Sequence, residues 1–268
     1  VLVLAVDTST PTVTAGVVGV ALPHEILAAG APPARTAGVK GAPTDAAPST
    51  ITVIAERTVT DAFGHAEHLM PLAFDALAAA AAGPGDLSAI VVGLGPGPFT
   101  GLRVGVATAQ ALGDALGIPV HGVPSHDGVA LAVAGVAVRT AGVVNVAFLV
   151  VTDARRKEVY VSGYRGGAKL FGPLVAAPSS LTESLPEGLA PAWITGAGAN
   201  LVADALDVPI RNVEQPISGG LVRAALRPLV TGAVPGPLTP LYLRRPDAVA
   251  PGSPKPVLPA SSPTTSRR

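Results

Sequence analysis

Hydrophobic positions along most of the chain fall into short unbroken runs separated by stretches with a three- to four-residue period, the pattern of strands alternating with helices. Val1–Val6 is an apolar run ending in Asp7-Thr8-Ser9-Thr10-Pro11, and β-branched residues resume over Val13–Val20. This predicts a strand, a tight polar turn and a second strand. His65–Ala82 places Leu69, Ala73, Ala76, Leu77 and Ala80 on one helical face, with Pro71 confined to the first turns. Ala89–Leu94 reads as a buried strand. Leu102–Leu116 reads as a helix with Leu102, Val106, Ala109, Leu112 and Leu116 on its stripe and Gly117 as its terminating glycine. Val120–Val123 begins another strand.

The opening pattern then returns. Asn145–Thr152 is apolar, Asp153-Ala-Arg-Arg-Lys is a polar turn, and Glu158–Tyr164 alternates as a strand does. Two related lobes are expected, each opening with a hairpin that presents an aspartate, in an α/β rather than an all-β chain. Two stretches carry no period. Pro23–Thr50 holds Pro23, Pro32, Pro33, Pro43 and Pro48 among small residues, and the chain beyond Pro246 alternates proline with Ser, Thr and Ala. Both are expected to be flexible, since neither can bury enough apolar surface to offset its ordering entropy. The expected division is a first lobe over 1–124 with an insertion at 23–50, a smaller lobe over 125–246, and a tail over 247–268.

Composition narrows the function classes. The 268 residues contain no cysteine, which excludes disulfides, thiolate metal sites and a cysteine nucleophile. Eighteen basic residues balance eighteen acidic ones and only 3% are aromatic, so neither a strongly basic face nor a base-stacking platform is expected. Any dealing with RNA is therefore expected to be indirect. Mean hydropathy is +0.50. The longest apolar run, Gly128–Val138, nevertheless falls short of the roughly 20 residues a spanning helix needs. The N-terminal run lacks a basic flank and meets Asp7, so it does not read as a signal peptide. A soluble, cytoplasmic protein without a membrane partner is expected.

Several segments could carry chemistry. Asp7, Ser9 and Thr10 sit where a strand leaves the core and could face a phosphate or a metal-bound water, although such residues also build turns through local hydrogen bonds. Gly93-Leu-Gly-Pro-Gly-Pro-Phe-Thr-Gly101 follows a strand and opens a helix, with Thr100 expected as its N-cap. It lacks the Gly-Lys-Ser/Thr of a P-loop, and Pro96 and Pro98 remove two N–H donors. A rigid turn whose glycines permit close packing is the simpler expectation. Arg103 suits a carboxylate or phosphate, or a salt bridge. His65-Ala-Glu-His68 has the wrong spacing for the zinc motifs it suggests, so surface or interface histidines and no metal site are expected. Ser125-His126-Asp127 are adjacent in sequence and so do not form a triad. Gly196 and Gly198, after the strand at Trp193–Thr195, could pack against an adenine.

Val3–Thr10, His65–Pro71, Gly95-Pro-Gly-Pro-Phe-Thr-Gly-Leu-Arg-Val-Gly105, Asp153-Ala-Arg-Arg-Lys-Glu-Val-Tyr160 and Pro240-Leu-Tyr-Leu-Arg244 together resemble the TsaB (YeaZ) family. The resemblance implies an actin/Hsp70-like (ASKHA, ribonuclease H-like) two-lobed fold. It implies a role in making N6-threonylcarbamoyladenosine at position 37 of tRNA as the non-catalytic partner of a TsaD-like transferase, with a TsaE-like ATPase in the complex. The family's usual serine is replaced by Pro98, and its His-Ser-Glu reads His65-Ala66-Glu67. The catalytic paralogue's metal-binding histidine pair would fall here on Ser125 and Val129, and Val129 cannot coordinate. No catalytic residue is therefore assigned. A helix-on-helix contact with the partner is expected through His65, Glu67, His68, Leu69, Arg103, Val104, Ala107, Thr108 and Ala111, with self-association on the same patch when the partner is missing. No cofactor is required; weak ATP or ADP–magnesium binding near Asp7, Ser9, Thr10, Asp153, Gly196 and Gly198 is left open. The alternative is an ATP-binding phosphotransferase or hydrolase in which Asp7 and Asp153 hold magnesium.

Overall fold

The computed structural model describes residues 1–21, 50–137, 146–212 and 216–244. The expectations for 23–49 and for the tail lie outside these residues. Strand β1 (Leu2–Asp7) is apolar up to its final aspartate because it runs through the middle of a sheet covered on both faces. It pairs antiparallel with β2 (Thr12–Ala21), which pairs antiparallel with β3 (Thr50–Thr60). On its other side β1 runs parallel to β4 (Leu87–Gly93), and β4 parallel to β5 (Val120–Val123). The five-stranded order is β3-β2-β1-β4-β5. The strand β3 was not anticipated, and Thr50, expected in the flexible insertion, is its first residue.

The second sheet repeats the plan. β6 (Ala147–Asp153) pairs antiparallel with β7 (Val159–Arg165), which pairs antiparallel with β8 (Ala168–Ala176), and β6 runs parallel to β9 (Trp193–Thr195). Its order is β8-β7-β6-β9, so Asp7 and Asp153 each close the first strand of their sheet. Two sheets of this shared topology make the actin/Hsp70-like, ribonuclease H-like architecture.

Helix packing follows the apolar stripes. In α1 (His65–Ala79) the residues Leu69, Ala73, Ala76 and Leu77 are buried, while Pro71 is exposed and costs the helix one backbone bond without ending it. In α2 (Phe99–Leu116) Leu102 and Ala109 are buried, and Gly117 closes the helix at φ 66°. The helix begins three residues earlier than its periodicity predicts. Pro98, not Thr100, is the N-cap: at φ −60° and ψ 135° it is the last extended residue before the helix, and Phe99 and Thr100 already lie inside it. Both helices cover one face of the first sheet, meeting Leu4, Val6, Val17, Ile90 and Val92.

The opposite face is covered by α6 (Ile217–Ala224), through Leu221 and Val222 on Val3, Ala5 and Val91. Helix α3 (Ser125–Ala137) lies back to back with α6 and presses Ala130 onto Phe148, Val150 and Trp193 of the second sheet. The two helices touch glycine to glycine. A Cβ on Gly220 would sit 1.9 Å from the Gly128 carbonyl oxygen, so the close approach depends on the missing side chain. The short helices α4 (Leu181–Ser184) and α5 (Ala203–Leu206) lie on the outer side of the second sheet, where Leu181 is fully buried. Helix α7 (Leu226–Thr231) then releases the chain into an extended strap over 232–244. No described helix is long and apolar enough to cross a membrane.

Candidate functional site

The polar turn after β1 and the glycine-proline loop after β4 are locked into each other. Asp7 is buried, and its Oδ1 accepts hydrogen bonds from the Ser9 backbone N–H (2.7 Å) and the Ser9 hydroxyl. The Thr8 hydroxyl donates to the Gly101 carbonyl at 2.7 Å. A Cβ on Gly97 would fall 2.1 Å from the Ser9 carbonyl oxygen, and one on Gly105 would fall 2.3 Å from Thr8 Oγ1. The loop's glycines thus admit the Thr8–Ser9 backbone, and the packing expectation for this segment holds. Above Asp7, the side-chain space of Gly93 is filled by Asp7 Oδ2 and Ser125 Oγ, and Ser125 Oγ accepts the Gly95 N–H at 3.0 Å. Burial pushes the Asp7 carboxyl up from its ordinary value, against hydrogen bonds from Ser125 and Ser9 that favour the carboxylate. The Asp7 carboxylate is turned inward, its Oδ2 against Gly93 and Ser125.

The second turn is also engaged. Asp153 Oδ1 accepts the Arg155 N–H at 2.6 Å, and its Oδ2 lies 3.7 Å from the Arg155 guanidinium. Thr10 binds locally: its hydroxyl and the backbone of Thr12 lie 3.2 Å apart. Cβ atoms on Gly196 and Gly198 would fall 2.4 Å from the Val151 carbonyl oxygen and 2.6 Å from the Thr152 carbonyl carbon, so close backbone packing accounts for both glycines. A magnesium–nucleotide needs a carboxylate with an open face. Asp7, buried against Gly93 and Ser125, does not fit that requirement, whereas the partly exposed Asp153 is engaged by Arg155.

Ser125, His126 and Asp127 diverge at the start of α3. Ser125 turns to the first sheet, as above. His126 is 1% exposed and bridges to the second sheet, with Nδ1 2.8 Å from Ser162 Oγ and Nε2 2.9 Å from Thr152 Oγ1. Burial, aided by the charge of Lys169, lowers its pKa to about 3, so the ring is neutral. Asp127 Oδ1 accepts the Tyr164 hydroxyl at 2.6 Å and pairs with Lys169 at 2.6 Å. Burial and the Asp127 charge both push the Tyr164 hydroxyl up. Three consecutive residues therefore tie the lobes together, and Val129 packs with the Phe148–Trp193 cluster. Among the described residues no three His, Asp or Glu side chains gather as a metal site would require.

The outer face of α1 and α2 is where the remaining sequence candidates lie. His65 and Leu69 are corrections: they are 6% and 1% exposed, so neither offers area to a partner. His65 Nε2 lies 2.8 Å from the Thr10 carbonyl and holds α1 against the first turn, its ring lying against Gly101. His68 Nε2 is 3.1 Å from Asp61 Oδ2, away from His65. Backbone and His68 hydrogen bonds hold the Asp61 carboxyl below its usual range. Glu67, Arg103, Ala107 and Ala111 are exposed, and Val104 and Thr108 are half-buried. Sequence periodicity missed the aromatics on this side of the molecule. Phe63 is 96% exposed and Phe74 50%, and Phe99 meets Tyr242 at a tilt of 34° with ring centroids 4.8 Å apart. Phe74 lies off the buried stripe of α1, which is the signal that could have found it.

Comparison with known proteins gives this geometry a context. The sequence family described as "TsaD: tRNA N6-adenosine threonylcarbamoyltransferase" matches residues 53–218. An uncharacterized protein of Mycobacterium tuberculosis is 42% identical over 246 residues, 92% of this chain and 93% of the relative. One of Mycobacterium leprae is 41% identical over 247 residues, which is 92% of this chain but 56% of that relative's length. The tRNA threonylcarbamoyladenosine biosynthesis protein TsaB of Bacillus subtilis is 38% identical over 114 residues, 42% of this chain and 46% of the relative. Among solved structures, YeaZ from Pseudomonas aeruginosa aligns with a TM-score of 0.60 at 22% identity, covering 90% of this chain and 99% of the other. At that identity the likeness is one of fold.

Proposed function

The chain belongs to the TsaD family, in its TsaB (YeaZ) branch, and from that premise we propose that it serves tRNA threonylcarbamoyladenosine synthesis as a non-catalytic subunit that docks a TsaD-like transferase. The observation that carries the non-catalytic reading is the buried Asp7, closed by Ser9, Gly93 and Ser125. A group that must hold a metal–nucleotide has to present an oxygen, and the carboxylate of Asp7 faces the protein. Val129, at the position assigned to a metal-binding histidine of the transferase, packs into an apolar cluster instead.

Docking is assigned to the outer face of α1 and α2. Ala107 and Ala111 are small and exposed, so a partner helix can approach to about 8–10 Å. Phe74 adds a half-exposed aromatic anchor on the neighbouring helix. Large apolar groups so placed are typical of interface centres. The partner is a TsaD-like subunit, with a TsaE-like ATPase joining the assembly and homodimerisation through the same face when the chain is alone.

The test is co-purification of this chain with its host's TsaD-like subunit. Wild type is expected to form a 1:1 complex. Ala107→Glu, which adds a charge on an exposed helical position, is expected to weaken it about tenfold or more without altering the circular dichroism spectrum. Unchanged binding by a folded Ala107→Glu protein would place the interface elsewhere.

A further inference from the structure

The extended strap after α7 binds both lobes. The Leu241 N–H donates to the Leu94 carbonyl at 2.8 Å, so the strap lies along the glycine-proline loop. One residue later Tyr242 meets Phe99 at a tilt and accepts a hydrogen bond from Arg103 Nε at 3.2 Å, while the Arg103 guanidinium carbon sits 3.8 Å above the Phe99 ring. Two residues further, Arg244 pairs with Glu158 and donates to the Arg155 carbonyl at 3.4 Å. The strap thereby joins the start of α2 to the turn between β6 and β7, and Tyr242 and Arg244 lie within about 7 Å along the chain.

That turn is unusual in its backbone. Arg155, Arg156 and Lys157 all have left-handed φ values of 62°, 54° and 61°. A side chain in this region is disfavoured at each residue, and glycine would fit with least strain. Three long basic side chains stand there instead, all exposed. Strain of this kind is held where side chains are needed at a particular place. Of the two nearby carboxylates, Asp153 is engaged by Arg155 and Glu158 by Arg244; Lys157 pairs with no carboxylate among the described residues.

We infer that Phe99, Tyr242 and Arg103 at one end, and Arg244, Arg155 and Lys157 at the other, form a binding ridge for single-stranded RNA. Phe99 and Tyr242 are 40% and 39% exposed; the Arg103 guanidinium already lies over the Phe99 ring, so Tyr242 is the ring offered to an unpaired base. Lys157, which pairs with no carboxylate among the described residues, and the exposed Arg155 beside it suit the phosphates of the same strand, while Arg244 is held by Glu158 and fixes the strap. Duplex RNA cannot use the ring, because its bases are already stacked. Whole-chain neutrality and a low aromatic content hide this ridge, since it draws its residues from three distant segments. The inference rests on the tRNA-modification reading for its biological sense, and it departs from the expectation that contact with RNA is indirect.

The test uses fluorescence anisotropy of the full chain with two probes: a 12-nucleotide oligouridine and a 12-base-pair RNA duplex. The single strand is expected to bind at least fivefold tighter than the duplex, with affinity falling as salt rises from 50 to 200 mM. Tyr242→Leu is expected to weaken the single strand about fivefold or more. The double variant Arg155→Gly/Lys157→Gly keeps the left-handed turn, since glycine favours it, and is expected to weaken binding about tenfold. Thermal melting checks that both variants fold. No binding of oligouridine at 50 mM salt, equal binding of the duplex, or wild-type affinity in both folded variants would each overturn the ridge. Complex formation with the TsaD-like subunit is measured in parallel. Its survival in the ridge variants separates failure of the ridge from failure of the docking proposal.

Discussion

Asp7 separates the helper reading from the phosphotransferase reading at the level of one carboxyl group. Burial raises its pKa in the folded chain, so the native state binds the proton more readily than the unfolded state does. Between the unfolded and the folded pKa, stability therefore falls as pH rises, and above that window the folded protein carries a constant penalty. Asp7→Asn keeps an oxygen for the two Ser9 donors and places an amide toward Ser125, without the buried charge. We expect its melting temperature to equal or exceed that of wild type at pH 7, an advantage that disappears once both states of Asp7 are protonated. We also expect tRNA modification to persist. A folded Asp7→Asn protein that abolished modification would show that the carboxylate does chemistry. The aspartate and its turn were legible in the sequence, but its closure was not. Gly93, Ser125 and Ser9 come from three separate segments, and nothing in local periodicity brings them together. His65 was misread for a related reason. A polar residue at a helix start looks exposed until the Thr10 carbonyl, which the first hairpin supplies, is seen beside it.

The strands with both faces covered and the helices with a clean stripe could be read from apolar spacing alone. β1, β4, β6 and α1 are the clearest cases. The edge strand β3 could not. Only Ala55 among its eleven residues is buried, so its Thr-rich sequence carries little of the contrast that marks a strand against a core. The start of α2 was also missed, because Phe99 and Thr100 face outward and add nothing to the stripe. The α3–α6 contact is invisible in sequence, since a glycine in a helix usually reads as a weakness. Here it sets the distance between the lobes. Gly220→Ala would push a methyl group to 1.9 Å from the Gly128 carbonyl oxygen and 2.7 Å from the Ala132 nitrogen. Overpacking of this kind costs about 1–3 kcal/mol, and each kcal/mol lowers the melting temperature of a chain this size by about 2–4 °C. Gly236, where an added Cβ meets nothing within 4 Å, is the control. Scanning calorimetry in which Gly220→Ala and Gly236→Ala melted together would show that the two helices do not depend on the contact.

At the scale of the whole molecule, polar residues at the start of α3 and on the strap hold the lobes together. His126 and Asp127 bridge to the second sheet, Ser125 closes over Asp7, and Arg244 carries the strap to the β6–β7 turn. The outer face of α1 and α2 and the proposed ridge are exposed surfaces suited to binding. The direct measurement is the N6-threonylcarbamoyladenosine content of bulk tRNA, hydrolysed to nucleosides and quantified by mass spectrometry, in host cells depleted of this chain. The modified nucleoside is expected to fall on depletion, to return with wild type or Asp7→Asn, and to stay low with Ala107→Glu. An unchanged level after depletion would contradict the assigned role, and full rescue by Ala107→Glu would contradict the docking face.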